Sequence, residues 1–222
     1  MNRRVFSEAC YRANLGTAGK WLLAAVLFLW VSAPQAQTQE LIEAYMDQWK
    51  GFYPSSAFGE GQKSAAWRFE DFSKQRVSDW LMFNHQAEKT LLSTPQSAPL
   101  NERVDARVLL RQVRLELELW EQDNPLVRQP QWYTGKISEA LTYVLISDRL
   151  SPAEKTMAVL TRLEGVARLC RLGIQNLQNG NTARTANALQ SLERTVDFYE
   201  SKLLTQTESW AEEGDLDALR KA

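Results

Sequence analysis

The chain has 222 residues, of which 44% are hydrophobic and 24% are charged, and its formal net charge is −1 at pH 7. Basic residues form no cluster and alternate with acidic ones, which argues against a nucleic-acid-binding protein. The single histidine, His85, excludes a two-histidine zinc site of the H-E-x-x-H kind within this chain.

The first 36 residues have the three parts of a secretion signal peptide. A basic start is followed by an apolar run over residues 21–31, and small residues precede a predicted cleavage after Ala36. The apolar run is shorter than the roughly 20 residues that a transmembrane helix needs. We therefore predict a periplasmic or secreted protein without a membrane span in the mature chain. An uncleaved membrane anchor is the alternative, because Pro34 is imperfect for cleavage.

Residues 1–36 also bear on the export route and on the number of cysteines in the mature chain. The pair Arg3-Arg4 resembles a twin-arginine motif, whereas the strongly apolar run favours the general secretory route. Removal of residues 1–36 leaves 22 basic and 26 acidic residues. It also removes Cys10, so Cys170 is the only cysteine of the mature chain and no intrachain disulfide can form. The leucines around Cys170 predict a buried and unreactive thiol.

Apolar residues recur at helical spacing through the rest of the chain. In chain order, the pattern predicts helices over residues 40–50, 74–92, 101–122, 132–146, 152–178 and 183–205. Ser151 is the predicted N-cap of the fifth helix, with Pro152 in the first turn and Glu154 completing a capping box. The fold predicted is all-α, an antiparallel bundle of about six helices over residues 37–205, followed by an acidic tail over residues 206–222.

The same spacing assigns the inward faces of the helices. On the third helix it places Glu116 and Glu118 in solvent. The apolar residues assigned inward on the third, fifth and sixth helices include Val104, Val108, Leu109, Val113, Leu115, Met157, Ile174, Leu189 and Val196.

Groups that carry chemistry are few. A lone His85 is typical of a surface or half-buried residue rather than of a ligand. Adjacent carboxylates such as Glu70 and Asp71 do not face each other, so no acid–base pair is predicted. Neither a glycine-rich phosphate loop nor a nucleophile elbow is present. We therefore predict no catalytic residue, no metal site and no cofactor in this chain.

Four aromatic residues at helix ends remain as candidates for a binding site. They are Phe52, Tyr53, Trp132 and Tyr133. The simpler interpretation is that they fill the ends of the bundle, because buried aromatic residues are common. The other interpretation is that they line a groove for an apolar ligand or a peptide.

The order of several motifs resembles one bacterial family. They are Phe52-Tyr53-Pro54 with Ala57 and Gly59, Asp105 followed by Leu109-Leu110, Leu117 and Trp120 before Asn124-Pro125, Trp132-Tyr133, and a proline-capped helix before an Asn-rich turn. Over about residues 40–205, this order resembles the N-terminal half of the family called domain of unknown function 885.

That resemblance implies a helical protein that is normally much longer. Its members resemble exported zinc metallopeptidases whose metal ligands lie in the C-terminal half, and none of those positions can be placed on a residue of this chain. The resemblance therefore implies a non-catalytic N-terminal lobe, and a peptide ligand is implied by the resemblance alone. A standalone periplasmic binding or adaptor protein and a membrane-anchored helical protein are the alternatives.

Overall fold

The computed structural model describes residues 33–178, 182–211 and 213–221, and every regular element in these ranges is helical. The prediction of an all-α fold is therefore confirmed. The predicted signal peptide lies mostly in residues 1–32, outside the described residues. Its last residues, from Ala33 to Ala36, form the start of the first helix.

The helices match the six predicted segments and add shorter elements between them. The first half of the chain contains α1 (Ala33–Phe52), α2 (Pro54–Gly59), a 3-10 turn (Lys63–Ala65), α3 (Lys74–Leu92), α4 (Leu100–Leu117) and a π-helical turn (Glu118–Asp123). The second half contains α5 (Pro125–Arg128), α6 (Pro130–Leu145), α7 (Pro152–Asn176), α8 (Thr182–Asp197), a π-helical turn (Phe198–Lys202), α9 (Leu203–Glu208) and α10 (Glu213–Lys221).

The predicted capping box at the start of α7 is confirmed. The Glu154 backbone N–H donates to Ser151 Oγ at 3.4 Å, and the Ser151 backbone N–H donates to Glu154 Oε2 at 2.8 Å. Pro152 occupies the first turn, where a missing N–H costs nothing. These bonds satisfy donors that a helix start otherwise leaves to solvent.

The capping box predicts a pH-dependent stability. The hydrogen bond from the Ser151 backbone, with a further contribution from Lys63, lowers the pKa of Glu154. A lowered pKa adds stability that is present above the usual glutamate range and is lost as the pH falls through the folded value. We expect Glu154→Gln to lower the urea midpoint at neutral pH but not in strongly acidic buffer. Glu164→Gln, at an exposed site on the same helix, controls for loss of charge. An equal deficit at both pH values would contradict the prediction.

Two groups of helices build the core. In the first group α3 packs against α4 and α1, and in the second α6 packs against α7 and α8. The short helix α2 contacts both α1 and α6 and so joins the groups. Phe52 lies at the centre of the first group, where its ring stacks on Trp80 at 5.0 Å and meets Trp120 edge-on at 5.3 Å.

At Gly165, in the middle of α7, the segment that carries Phe69 packs closely against the helix. A Cβ atom at this position would lie 2.6 Å from the Cβ of Phe69, which is anchored close to its own backbone. Only glycine leaves room for the segment that precedes α3. The loop carrying Phe69 is thereby pressed against the middle of α7.

Several predicted inward faces are wrong. The buried stripe of α4 follows Glu102, Ala106, Leu109, Val113 and Glu116, rather than the neighbouring stripe rich in valine. The apolar residues that are exposed instead are Val104, Val108, Leu115, Met157, Ile174, Leu189 and Val196. The buried stripe of α4 contains the small residue Ala106 and the carboxylates Glu102 and Glu116, whose hydrogen-bond partners lie far away in sequence. Apolar spacing alone therefore predicts the wrong face of α4 as the buried one.

Candidate functional site

The four candidate aromatic residues do not share one environment. Phe52, Tyr53 and Tyr133 are buried in the core. The Tyr133 hydroxyl donates to the Leu126 carbonyl at 2.9 Å, which fixes its ring below α5. Trp132 is half-buried and lines a surface cavity. Of the four candidates, Trp132 alone is therefore placed to meet a ligand in a groove.

This cavity runs along the outer side of α6 and has a volume of about 510 Å³. Gly135, Ser138 and Thr142 recur at helical spacing, and their small side chains form the floor of the cavity. A Cβ atom built on Gly135 would meet nothing within 4 Å, so the space above it is open. The cavity is lined by Gln131, Trp132, Gly135, Lys136, Ser138, Glu139, Thr142 and Tyr143.

A second cavity of about 330 Å³ lies between α6 and α8. It shares Ser138 and Thr142 with the first, so the two cavities adjoin each other along α6, and we call them together the α6 groove. The second part is lined by Ser138, Leu141, Thr142, Leu145, Ser191, Arg194, Thr195, Phe198 and Tyr199. Trp132 therefore stands near one end of the α6 groove and Phe198 near the other.

The polar groups of the α6 groove differ in how far they are already engaged. Lys136 and Glu139 form an ion pair at 2.8 Å, which neutralises both charges. The hydroxyls of Ser138 and Thr195 lie 2.7 Å apart. Arg194 is exposed and forms no ion pair within the described part of the chain. The α6 groove thus offers hydroxyls, aromatic surface and one unpaired positive charge.

Glu116 is the second site with unusual chemistry, because it is a carboxylate with only 7% of its surface exposed. Its Oε2 accepts hydrogen bonds from the Tyr53 hydroxyl at 2.7 Å and the Trp80 indole N–H at 3.1 Å. The Gln112 amide donates to its Oε1 at 3.2 Å. The indole N–H of Trp120 donates to the Tyr53 hydroxyl at 3.0 Å, which closes the network.

Burial raises the pKa of Tyr53, and the negative charge of Glu116 adds to this effect. The phenol therefore stays protonated at neutral pH and can donate to the carboxylate. No cavity reaches this network among those described above. The network joins Tyr53, which lies between α1 and α2, to α3, to α4 and to the π-helical turn after α4.

Arg162 forms a third buried polar site, with 0% of its surface exposed. Its guanidinium donates to the carbonyls of Ala66 at 2.8 Å, Ala65 at 3.1 Å and Ala140 at 2.6 Å. It also donates to Ser55 Oγ at 3.1 Å, and that hydroxyl donates to Glu70 Oε2 at 2.8 Å.

Burial lowers the pKa of Arg162 to about 10, while the negative charge of Glu70 acts in the opposite direction. The guanidinium therefore remains charged at neutral pH. Its donors are directed at backbone carbonyls of the 3-10 turn and of α6, and to Ser55 of α2. Arg162 thus ties α7 to three other segments of the fold.

The two remaining residues with chemical potential lie apart from these sites. His85 is exposed, as predicted, and its Nε2 lies 2.7 Å from Glu121 Oε1. Cys170 is half-buried, and burial raises the pKa of its thiol. A raised pKa keeps the thiol protonated and so lowers its nucleophilicity.

Sequence reasoning missed the buried carboxylates Glu70, Glu102 and Glu116 and the buried Arg162. Glu116 was placed in solvent with the other charged residues of its helix, and Glu70 was considered only as a partner of the adjacent Asp71. The partners that make their burial tolerable are 63 residues away for Glu116 and 15 for Glu70. The density of aromatic residues with N–H or O–H groups around Tyr53 was the available signal, because such groups seek acceptors when buried.

Comparison with known proteins adds no family. No protein-family model, curated protein or solved structure matches this chain. Within the described ranges, no group of three or more His, Cys, Asp or Glu side chains is arranged to hold a metal ion. The helices of those ranges include none with the length and apolar character required to cross a membrane.

Proposed function

We propose that this chain is an exported, non-catalytic helical module that binds an extended peptide in the α6 groove. The observation that carries the proposal is the pair of adjoining cavities along α6, with Trp132 lining one and Phe198 lining the other. The buried carboxylates Glu70 and Glu116 are instead engaged in hydrogen bonds within the core. Binding therefore uses a different set of residues from those that hold the fold.

The dimensions of the groove suit a peptide. Helix α6 has 16 residues, which corresponds to a length of about 24 Å. An extended chain advances about 3.3 Å per residue, so about seven residues fit along it. The hydroxyl oxygens of Ser138 and Thr142 can accept hydrogen bonds from a peptide backbone, because their protons are already engaged within the fold. Ser191 adds a third hydroxyl. Apolar patches beside Trp132 and Phe198 suit alternate side chains, and Arg194 favours an acidic residue near that end.

A second candidate is the non-catalytic N-terminal lobe of a longer, metallopeptidase-like exported protein, as the resemblance to the domain-885 family implies. An exposed apolar stripe on α4 favours it, formed by Leu100, Val104, Val108 and Leu115. In a longer protein, this stripe would be the surface against which further helices pack. A reading frame that continues into an H-E-x-x-H helix supports the lobe, and a stop codon directly after codon 222 contradicts it.

A peptide selection tests binding in the α6 groove. Random peptides displayed on phage are selected against the purified chain beginning at Gln37, and the enriched peptides are titrated against single variants. We expect Thr142→Arg to weaken binding at least about tenfold, because a long charged side chain in the groove floor blocks the path and costs about 1.4 kcal/mol or more. Fluorescence anisotropy of labelled peptides gives the affinities.

Thr205→Arg is the matched control. Thr205 is also an exposed threonine on a helix, α9, and does not line the α6 groove. Peptides that bind in the groove should bind this variant as they bind the unchanged chain. Enriched peptides that bind Thr142→Arg with undiminished affinity would contradict the proposal, as would a selection from which no peptide is enriched.

A further inference from the structure

Glu102 is a buried carboxylate with one oxygen left unpaired. It lies in the first turn of α4 and has 3% of its surface exposed. Its Oε1 accepts a hydrogen bond from Thr38 Oγ1 of α1 at 3.0 Å. Its Oε2 has no hydrogen-bond partner among the described residues. A buried carboxylate oxygen without a donor is strongly unfavourable, so this position calls for a partner.

A small polar cavity adjoins Glu102. Its volume is about 30 Å³, and its lining includes Thr38, Thr90, Ser93 and Thr94. The hydroxyls of Thr90 and Ser93 donate to the carbonyls of Gln86 and Thr90, so these hydroxyls are not available as donors to Glu102. Leu41, Leu91 and Pro95 complete the lining and their side chains donate no hydrogen bond, so the unpaired Glu102 oxygen suits a small group that carries both hydrogen-bond donors and a positive charge.

The neighbouring arginine does not fill this requirement. Arg103 follows Glu102 in sequence, but it lines a separate cavity of about 140 Å³, and its buried Nε forms no hydrogen bond with Glu102. Successive residues of a helix do not face each other. Within the described part of the chain, no lysine or arginine forms an ion pair with Glu102.

We propose that the partner of Glu102 is the α-ammonium group of Gln37, which is created when the signal peptide is removed. Hydrolysis adds water across the Ala36–Gln37 peptide bond and leaves a carboxylate on Ala36 and an ammonium on Gln37. That ammonium belongs to the residue directly before Thr38, whose hydroxyl is already bonded to Glu102. It has three donors and a full charge, as the cavity requires.

The inference rests on the proposed export of the chain and adds a consequence to it. In the uncut chain the Gln37 nitrogen is an uncharged amide within α1, and Glu102 Oε2 stays unpaired. After cleavage the charge pairs with the carboxylate and fastens α1 to α4. Removal of the signal peptide thus stabilises the domain through a contact that the precursor lacks.

A thermodynamic cycle tests this pairing with two N-termini and two residues at position 102. One chain begins at Gln37, freed from a fusion partner without extra residues, and the other keeps an uncharged Gly-Ser extension before Ala33. Each is made with Glu102 and as E102Q. We expect E102Q to lower Tm by at least about 3 °C more in the chain that begins at Gln37 than in the extended chain. Equal losses in both chains would overturn the inference.

Glu102→Met gives a second measurement that does not depend on how well E102Q folds. An apolar replacement of an unpaired buried charge is neutral or stabilising, whereas loss of one partner of a buried pair is destabilising. We therefore expect Glu102→Met to raise Tm in the extended chain and to lower it in the chain that begins at Gln37. A change in Tm of the same sign in both chains would overturn the proposed pairing.

Mass spectrometry of the protein recovered from exporting cells separates the two proposals. An N-terminus at Gln37 with a free amine supports the inference. An N-terminus elsewhere, or one cyclised to pyroglutamate by loss of ammonia, overturns it in the native protein, since the ammonium is then absent from this position. Either result leaves the peptide selection unaffected, so failure here is distinguishable from failure of binding in the α6 groove. Gln37→Ala, which cannot cyclise, repeats the cycle with a permanent amine.

Discussion

Arg162→Met is expected to lower the free energy of unfolding by roughly 3–5 kcal/mol, the range typical for removal of one member of a buried charged network. The change preserves much of the side-chain volume but removes every donor from a fully buried site. The carbonyls of Ala65, Ala66 and Ala140 then each lose a charged donor, and Glu70 loses its favourable interaction with the guanidinium charge. Urea unfolding followed by circular dichroism measures the difference.

Two further variants sharpen this expectation. Arg162→Lys keeps the charge, but a single ammonium cannot reproduce the forked geometry of a guanidinium. We therefore expect its free energy of unfolding to lie between that of the unchanged chain and that of Arg162→Met. Arg168→Met, at an exposed site on α7, should change stability by no more than about 0.5 kcal/mol. A loss at Arg162→Met no larger than at Arg168→Met would show that the buried network does not hold the fold.

Local signals in the sequence predicted most of the helical framework. Ser151, Pro152 and Glu154 marked the start of α7 because a capping box is formed by residues three apart, and the prolines and glycines marked the breaks between helices. Such signals act over one turn and need no knowledge of the fold. The helices between these marks were accordingly predicted to within a few residues, except that α1 begins earlier, at Ala33.

Helix orientation was harder to predict, because it depends on partners distant in the chain. Arg162 is bonded to residues 96, 97 and 107 positions away, and nothing near it in sequence distinguishes it from the exposed Arg168. On α4, four large apolar residues face solvent while Glu116 faces the core. A prediction from apolar spacing places charged residues at the surface. Where a buried charge is satisfied by hydrogen bonds to distant residues, as Glu116 is, that prediction turns the wrong side of the helix toward the core.

Of the residues that line the α6 groove, only Trp132 had been singled out from the sequence as a binding candidate. Its floor consists of Gly135, Ser138 and Thr142, which are small residues that a helical pattern passes over as solvent-facing positions. The groove exists because the neighbouring helix α8 leaves part of this surface uncovered, and that depends on the packing of α6 against α7 and α8. The other three aromatic candidates follow the simpler interpretation of filling the bundle core.

Glu116→Leu is expected to lower the free energy of unfolding by roughly 2–4 kcal/mol, because it leaves buried donors without an acceptor at about 1–3 kcal/mol for each. The orphaned groups are the Tyr53 hydroxyl and the Trp80 indole N–H, both within a core where water does not replace the lost bonds. Glu118→Leu, two residues later and exposed, should change stability by no more than about 0.5 kcal/mol.

A double-variant cycle with Tyr53→Phe decides whether the Glu116 network acts as a unit. In the unchanged chain, Tyr53→Phe removes a donor to Glu116 and the acceptor of the Trp120 N–H. In Glu116→Leu, the tyrosine hydroxyl has already lost its acceptor, so the same change should cost less, with a coupling of about 1 kcal/mol or more. Additive losses would mean that Glu116 is stabilised by its other donors, Trp80 and Gln112, and that the tyrosine hydroxyl contributes through its bond with Trp120 instead. Chemical denaturation of the four chains gives the coupling directly, because residues in one hydrogen-bond network are the ones for which additivity fails.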